Sequence, residues 1–286
     1  MIDSSWKYIK NCKVPDGEYL PSGTFRYAAI IEYDGSQFCG WQRQVHCLAV
    51  QQAVEAALSQ VANKAVTVSC AGRTDTGVHA WYQVIHFDSS ALRTPRNWLM
   101  GANANLPDSV RVHWVESMPP QFHARFSAQS RTYRYLILNQ PVKSAVLPDG
   151  LSWCRFPLSV DAMREAADAL IGEQDFSAFR GAGCQSMTPM RNVLSVDFFS
   201  RGDIIAFDIC ANAFLLHMVR NIVGTLIEVG RGKQNPAWLA QLLAARDRTK
   251  AAMTAPAAGL YLLDVAYPDT FGLPDREPPA YLLGGE

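Results

Sequence analysis

Excess charge of either sign and long apolar runs are both missing from this sequence. Its 286 residues include 26 Lys and Arg and 26 Asp and Glu, so the formal net charge is zero. A globally basic nucleic-acid binder is therefore excluded, although a local basic cleft is not. No apolar run is long enough to span a bilayer, and residues 1–23 contain no apolar signal-peptide core. We therefore predict a cytoplasmic protein with no membrane partner.

Cysteine pairs and cofactor motifs are missing as well. The seven cysteines are odd in number and include no C-x-x-C pair, which argues against a disulfide framework and a zinc site and favours free thiols. The six histidines show no metal-ligand spacing. Neither G-x-G-x-x-G nor a P-loop motif occurs in the chain. The sequence therefore predicts neither a metal nor a nucleotide cofactor.

The remaining composition is that of an ordinary globular protein. The chain is 49% hydrophobic and 18% charged, which excludes disordered, collagen-like and coiled-coil proteins. The length suggests two domains or one large one. We predict an N-terminal extension over residues 1–24 and a proline-rich tail over residues 269–286. Between them we predict two structural units, residues 25–120 and 121–268.

Hydrophobic periodicity gives these two units the same order of elements. In the first unit it predicts strands at 25–33, 66–70, 81–87 and 110–115, and helices at 48–62 and from 95 onward, the latter capped by Thr94. In the second unit it predicts strands at 131–138, 193–199, 204–211 and 259–266, and helices at 160–170, 214–229 and 236–245. Each unit reads as a ferredoxin-like β-α-β-β-α-β arrangement. We therefore predict an α+β fold with two tandem ferredoxin-like halves and a cleft between them.

The loop at residues 71–80 concentrates groups that can do chemistry. It contains Arg73, His79 and a single carboxylate, Asp75, together with Gly72 and Gly77, which permit close approach of the backbone to a ligand. The alternative interpretation is a polar hairpin loop with no ligand, since loops are normally polar.

Arg220 is the second unusual residue. It is the only Arg, Lys, Asp or Glu between Asp208 and Glu228, and it lies in a helical pattern that is apolar on both faces. A buried arginine needs a carboxylate partner, and Asp75 is a candidate. The alternative is that Arg220 extends along the helix to reach solvent.

Basic residues without acidic neighbours occur in two stretches, residues 117–148 and 176–196. The first stretch also contains five aromatic or imidazole side chains among its arginines. Cations bind phosphates and aromatic rings stack on bases, so this combination favours a nucleic-acid surface. The alternative is that the strand aromatics belong to the core and the arginines only face solvent.

Short motifs occur in a fixed order along residues 25–268. They are YDG at 33–35, GWQRQ at 40–44, GRTDTGVHA at 72–80, NANLP at 103–107, FHARF at 122–126, RTYRY at 131–135, FLLHMVRN at 214–221 and GLYL at 259–262. In these motifs the chain resembles the TruA family of tRNA pseudouridine synthases. The resemblance implies a homodimer with the pseudouridine synthase fold and no cofactor. It also implies conversion of uridine to pseudouridine at positions 38, 39 and 40 of the tRNA anticodon stem-loop.

The same resemblance implies roles for individual residues. Asp75 matches the catalytic nucleophile, Arg220 the arginine that pairs with it, Tyr133 the active-site tyrosine that contacts the substrate, and Leu260 the apolar pocket residue. Arg73 matches a residue involved in flipping the target base. The resemblance implies tRNA contacts at Arg93, Phe122, His123, Ala124, Arg125, Phe126, Gly183, Cys184, Gln185, Ser186 and Met187. Two positions depart from the family pattern, because Thr76 replaces a usual alanine and Met187 replaces a basic residue.

Two other functions are compatible with single features of the sequence. Asp75-Thr76-Gly77 is the triplet of aspartic proteases, but those enzymes need two such carboxylates and the chain has one D-T-G. A ferredoxin-like sheet can also be a non-catalytic RNA-binding module. Pseudouridine formation on an unmodified tRNA transcript separates the three functions.

Overall fold

A computed structural model of the chain describes residues 20–282. Most of the predicted extension, residues 1–24, lies outside the described residues. The helices are α1 (Val50–Ala62), α2 (Pro95–Asn105), α3 (Val160–Ala167), α4 (Met218–Gly230) and α5 (Ala237–Ala245). The strands are β1 (Phe25–Tyr33), β2 (Val68–Cys70), β3 (His79–Ser89), β4 (Val110–Met118), β5 (Ser130–Asn139), β6 (Ser152–Cys154), β7 (Gly172–Asp175), β8 (Met190–Arg201), β9 (Ile204–Ala211) and β10 (Leu260–Ala266). None of the helices in this part of the chain is long and apolar enough to cross a membrane.

The strands of the described chain form one continuous sheet. Its order is β4-β1-β3-β10-β5-β9-β8-β7, with β2 beside β3 and β6 beside β5. The two halves meet at β10, which is parallel to β3 and antiparallel to β5. The first half has the predicted β-α-β-β-α-β order, and the second half adds β6, β7 and α5 to it. The α+β class and the cleft-forming pair of halves predicted from the sequence are confirmed.

The elements follow from the patterns of buried residues. On α1 the apolar residues at helical spacing are buried, whereas most of the other side chains are partly or fully exposed. Thr94 caps α2 by accepting a hydrogen bond from the Asn97 N–H, and Pro95 follows at the first helical position, as the sequence predicts. Trp98 of α2 packs against Phe87 of β3, with the ring centroids 4.9 Å apart. The core under the first half is therefore built from the predicted faces.

The helix predicted at 214–229 begins four residues later than expected. His217 has φ 59°, a left-handed conformation, so the chain cannot be α-helical through it and α4 begins at Met218. The short strands β6 and β7 were not predicted. Their sequences, SWC and GEQD, are too short and too polar to show a strand period.

The proline-rich segment after residue 268 is packed against the sheet as far as residue 282. The guanidinium of Arg276 lies 3.2 Å from the ring centroid of Trp81 on β3 and donates to its backbone oxygen at 2.7 Å. It also donates to the carboxylate of Glu32 on β1 at 2.8 Å. At the end of the segment Leu282 is buried. This segment therefore packs across β3 and β1 and reaches β5, where Nη1 of Arg134 donates to the Leu282 oxygen at 2.6 Å.

One pair of cysteines corrects the sequence-based expectation of free thiols. Cys39 and Cys47 form a disulfide, and their Cα atoms are 6.1 Å apart. The prediction was wrong here because the loop after β1 turns back on itself, which brings two cysteines within bridging distance without a recognisable motif. The other cysteines in the described residues, Cys70, Cys154, Cys184 and Cys210, are free.

Candidate active site

A cleft of about 890 Å³ lies where the two halves meet. Its walls are the loop between β2 and β3, the segment before and within β5, the loop at 183–186, and the turn leading into α4. Five arginines line it, whereas Asp75 is the only carboxylate among the lining residues. The arginines are Arg73, Arg125, Arg131, Arg191 and Arg220. The cleft is therefore locally basic in a chain whose formal net charge is zero.

The loop that carries Asp75 is fixed from behind by the motif at 40–44. The backbone N–H of Trp41 donates to the Thr74 oxygen at 3.0 Å. Gly40 has φ 83°, and a Cβ there would lie 2.6 Å from that same oxygen, so only glycine permits this approach. The hydroxyls of Tyr33 and Thr74 also share a hydrogen bond of 2.8 Å. The backbone around Asp75 is therefore held on two sides.

Asp75 and Arg220 are in contact across the cleft, as the sequence predicts. Nη1 of Arg220 donates to Oδ2 of Asp75 at 3.4 Å, and the side chains are 17% and 21% exposed. Nε of Arg220 donates to the backbone oxygen of Ala255 at 2.8 Å, which fixes the plane of the guanidinium. Arg220 therefore points into the site and does not extend to solvent. The catalytic roles of both residues remain predictions.

His217 is a further neighbour of Asp75, and the sequence analysis did not identify it. Its Nε2 lies 3.5 Å from Oδ2 of Asp75, the oxygen that also faces Arg220. The six histidines show no metal-ligand spacing, so the sequence singles out none of them as a metal ligand. The available signal was its position three residues before Arg220, but the predicted helix concealed the left-handed turn that directs it to the cleft.

Tyr133 and Leu260 form the apolar wall beside Asp75. Both are buried, and their strands β5 and β10 pair directly. The Tyr133 ring meets that of Phe214 edge-on, with centroids 5.0 Å apart. Burial raises the pKa of Tyr133 well above its ordinary value, and the charge of Asp75 raises it further. Tyr133 is therefore a neutral phenol at neutral pH.

Two arginines from the acid-free stretch 117–148 are satisfied inside the protein. Arg134 forms an ion pair of 2.7 Å with Asp208 on β9. Arg131 is buried without a carboxylate, and burial lowers its pKa. It donates at 2.6–3.2 Å to the backbone oxygens of Ala71, Arg125, Ala128 and Asn212. These two side chains hold the fold together, so the basic surface predicted for this stretch depends on other residues.

The residues with predicted tRNA contacts occupy different environments. His123, Arg125 and Phe126 line the cleft. Phe122 and Ala124 are fully buried, so their side chains are part of the core and not of a surface that RNA can reach. The motif at 122–126 alternates between core and cleft, which a motif match alone does not show. Arg93 is exposed outside the cleft lining, where its Nε donates to the Val61 oxygen at 3.1 Å.

The loop at 183–187 reaches from the second half toward Arg73. Gly183, Cys184, Gln185 and Ser186 line the cleft, whereas Met187 is fully exposed beside it. Nη2 of Arg180 donates to the Ser186 oxygen at 2.6 Å, which holds the loop from below. Nη1 of Arg73 donates to Oε1 of Gln185 at 3.4 Å. The exposed side chain of Arg73 therefore connects the two walls of the cleft.

Comparison with known proteins identifies the family. A family profile described as tRNA pseudouridine synthase matches residues 29–127 and 166–268. The chain belongs to the tRNA pseudouridine synthase family. It is 53% identical over 253 residues to tRNA pseudouridine synthase A of Salmonella typhimurium and to that of Salmonella newport, covering 88% of this chain and 94% of each relative. The resemblance to the TruA family is therefore confirmed.

A solved structure is also similar in part. It is an H/ACA RNP bound to a substrate RNA containing 2′-deoxyuridine, with 12% sequence identity and a TM-score of 0.33. The match covers 71% of this chain and 44% of that chain. Within residues 20–282, no cluster of three or more His, Cys, Asp or Glu side chains could hold a metal ion.

Proposed function

We propose that this protein is a tRNA pseudouridine synthase that converts uridine to pseudouridine at positions 38, 39 and 40 of the tRNA anticodon stem-loop. The observation that carries the proposal is the placement of Asp75 beside Arg220 as the only carboxylate of a basic cleft. The 53% identity to curated tRNA pseudouridine synthase A supports the same substrate.

The reaction needs positioning and charge more than a cofactor. The bond between N1 of uracil and C1′ of ribose breaks, the base turns, and a bond from C5 to C1′ forms. One proton leaves C5 and one is taken up at N1, so the oxidation state does not change. A carboxylate, a cation that keeps it ionised and a shaped apolar pocket are therefore the parts the reaction requires.

The target uridine has to leave its stack before Asp75 can reach it. Extrusion of a base from a stem costs a few kcal/mol, which contacts with the enzyme must offset. Arg73 lies exposed at the mouth of the cleft and is placed to enter the space that the base leaves. The phosphates beside the flipped nucleotide then face Arg125 and the loop at 183–186.

Within the pocket, each proposed residue has a distinct part. Asp75 is the nucleophile or proton acceptor, and Arg220 holds it as an anion. Tyr133 stays neutral, so its ring can stack on the uracil or its hydroxyl can form a hydrogen bond with it. Leu260 closes the apolar side of the pocket.

The test is pseudouridine formation on an unmodified tRNA transcript, mapped by carbodiimide labelling. We expect product at positions 38–40 with the wild-type protein and none with Asp75→Asn, which keeps the shape of the side chain. Asp203→Asn, in the exposed turn between β8 and β9, is the matched control and should be fully active. Tight tRNA binding without any product would support the RNA-binding module and overturn the proposal.

The proposal includes a cytoplasmic location and, as the family resemblance implies, a homodimer. Each chain of the dimer contains the two units predicted at residues 25–120 and 121–268. Sedimentation equilibrium at micromolar concentration should give twice the mass of the 31.6 kDa chain. Cell fractionation should recover the protein with the cytosol and its tRNA. A monomer under these conditions would contradict this part of the proposal.

A further inference from the structure

We propose that His217 is a positioning residue that stabilises the carboxylate of Asp75 together with Arg220. The proposal rests on the function proposed above, because it takes Asp75 as the reacting group. Nε2 of His217 lies 3.5 Å from Oδ2 of Asp75, and Nη1 of Arg220 lies 3.4 Å from the same oxygen. Contacts of this length in an empty site commonly shorten when the substrate binds.

Both nitrogens face one oxygen of Asp75, which leaves the other oxygen for the substrate. Among the described residues, Oδ2 is the only Asp75 side-chain atom with an ion-pair partner. Arg220 is fixed by its bond to the Ala255 oxygen, so it cannot follow Asp75 if the loop moves. His217 approaches the oxygen from the turn before α4 and completes the pair of donors.

The backbone of His217 is held in a costly conformation that serves this position. Its φ of 59° and ψ of 6° are left-handed, a region that residues other than glycine seldom adopt. Gly181 packs against it, and a Cβ there would lie 3.1 Å from Nδ1 of the imidazole. The N–H of Gly181 also donates to the Leu216 oxygen at 2.8 Å. Strained residues of this kind persist where the surroundings fix them, and they concentrate at active sites.

The chemical role is to stabilise negative charge as it returns to Asp75. If Asp75 has bonded to a carbon of the substrate, that C–O bond breaks at product release and its electron pair returns to the oxygen. If Asp75 has accepted a proton, the proton leaves and the same charge appears. In both cases the two carboxylate oxygens share the negative charge, so an N–H donor fixed beside Oδ2 lowers the barrier, and His217 itself gives up no proton.

The imidazole is accessible enough to be replaced by a small molecule. The His217 side chain is 37% exposed, and it lines the cleft beside Arg220 and Leu216. Removing it should leave a space open to solvent, which free imidazole can enter. Glycine suits the left-handed backbone better than histidine does, so His217→Gly should fold at least as well as the wild type.

The experiment compares His217→Gly with Asn63→Gly, a matched control. Asn63 has φ 53° at the end of α1 and lies outside the cleft lining, so this variant relieves the same kind of backbone strain elsewhere. For His217→Gly we expect an unchanged or higher Tm, an unchanged KM for tRNA and a kcat about 10–100-fold lower. Added imidazole should restore part of that kcat. Asn63→Gly should retain the wild-type kcat and show no response to imidazole.

The outcomes separate this inference from the proposed function. If the wild-type protein forms no pseudouridine, the proposed function fails. If the wild type is active and His217→Gly keeps a kcat within twofold of it, the inference alone is overturned. A lower kcat that imidazole does not restore also overturns it, since that result indicates a structural role for the side chain.

Discussion

The guanidinium of Arg131 donates to the backbone oxygen of Ala71 at 2.9 Å, so a buried cation on β5 holds the first residue of the loop that carries Asp75. The other bonds of Arg131 reach the backbone oxygens of Arg125, Ala128 and Asn212. A buried cation without a carboxylate is tolerated here because its charge is spread over four carbonyl dipoles. The geometry of the loop at residues 71–80 therefore depends on a residue from the other half.

We expect Arg131→Met to lower the free energy of unfolding by about 3–5 kcal/mol, because buried carbonyl oxygens lose their donors. Chemical denaturation measures the change. Lys143→Met, at an exposed loop position, is the control and should stay within about 0.5 kcal/mol of the wild type. An Arg131→Met protein as stable as the wild type would show that the four bonds contribute nothing net.

Arg220→Lys should lower kcat about 10–100-fold while tRNA affinity stays nearly constant. Lysine keeps the positive charge but cannot bond to Ala255 and Asp75 at the same time, as the guanidinium does. Tritium release from C5-labelled tRNA gives kcat, and filter binding gives the affinity. Arg164→Lys, on the exposed face of α3, should change neither. A parallel loss of affinity in Arg220→Lys would place this residue in RNA binding.

Binding of tRNA should depend on salt even though the chain has no net charge. Arginines outnumber carboxylates five to one in the cleft lining, so binding displaces counterions from phosphates. Arg125→Gln should make the slope of log K against log salt shallower by about 0.7–0.9, the contribution of one phosphate. Arg201→Gln, at the exposed end of β8, should leave the slope unchanged. A wild-type titration that is flat in salt would contradict the basic cleft.

The stability of the protein should fall in mild acid because of His86. Burial holds the pKa of His86 down to about 3, and the charges of His123 and Arg26 act in the same direction. Its Nδ1 accepts a hydrogen bond from the Ala124 N–H at 3.1 Å and therefore has to stay unprotonated. The unfolded chain takes up this proton near pH 6.5 and the folded protein does not, so unfolding becomes easier as pH drops below that value.

His86→Gln isolates this contribution. Glutamine offers an acceptor for the Ala124 N–H and does not titrate. Lowering the pH from 7 to 5 should therefore reduce the unfolding free energy of the wild type by about 2 kcal/mol relative to that of the variant. Denaturation curves at the two pH values give the shift. A difference that is the same at both pH values would mean that His86 takes up its proton equally readily in the folded and the unfolded protein.

Isolated chemical features were the most predictable part of the site. A lone carboxylate in a loop and a lone arginine in an apolar helix each need a partner, so the pair of Asp75 and Arg220 followed from the sequence. The left-handed turn at His217 was not predictable, because the residues on both sides of it read as one helix. The sequence also does not show which residues of a motif are buried. Phe122 and His123 are adjacent in sequence, but Phe122 lies in the core and His123 lines the cleft.

Sheet order was the least predictable part of the fold. The periodicity identifies β10 as a strand but does not say that it lies between β3 and β5. Long-range pairing of this kind is decided by side chains far apart in sequence. The pairing of β5 with β10 and β9 also creates the environment in which Arg131 donates to four carbonyl oxygens. Because the sequence does not show this pairing, Arg131 appeared to belong to a basic stretch that faces solvent.

The position of β10 also sets the order in which the enzyme can become active. The strands β3 and β5 do not pair with each other, and only β10 connects them. Residues 260–266 are the last strand to be synthesised, yet they lie in the middle of the sheet. On the ribosome, the wall containing Leu260 is absent until translation has passed β10. A nascent chain that stops before residue 260 can hold Asp75 in its loop and still has no cleft in which to modify RNA.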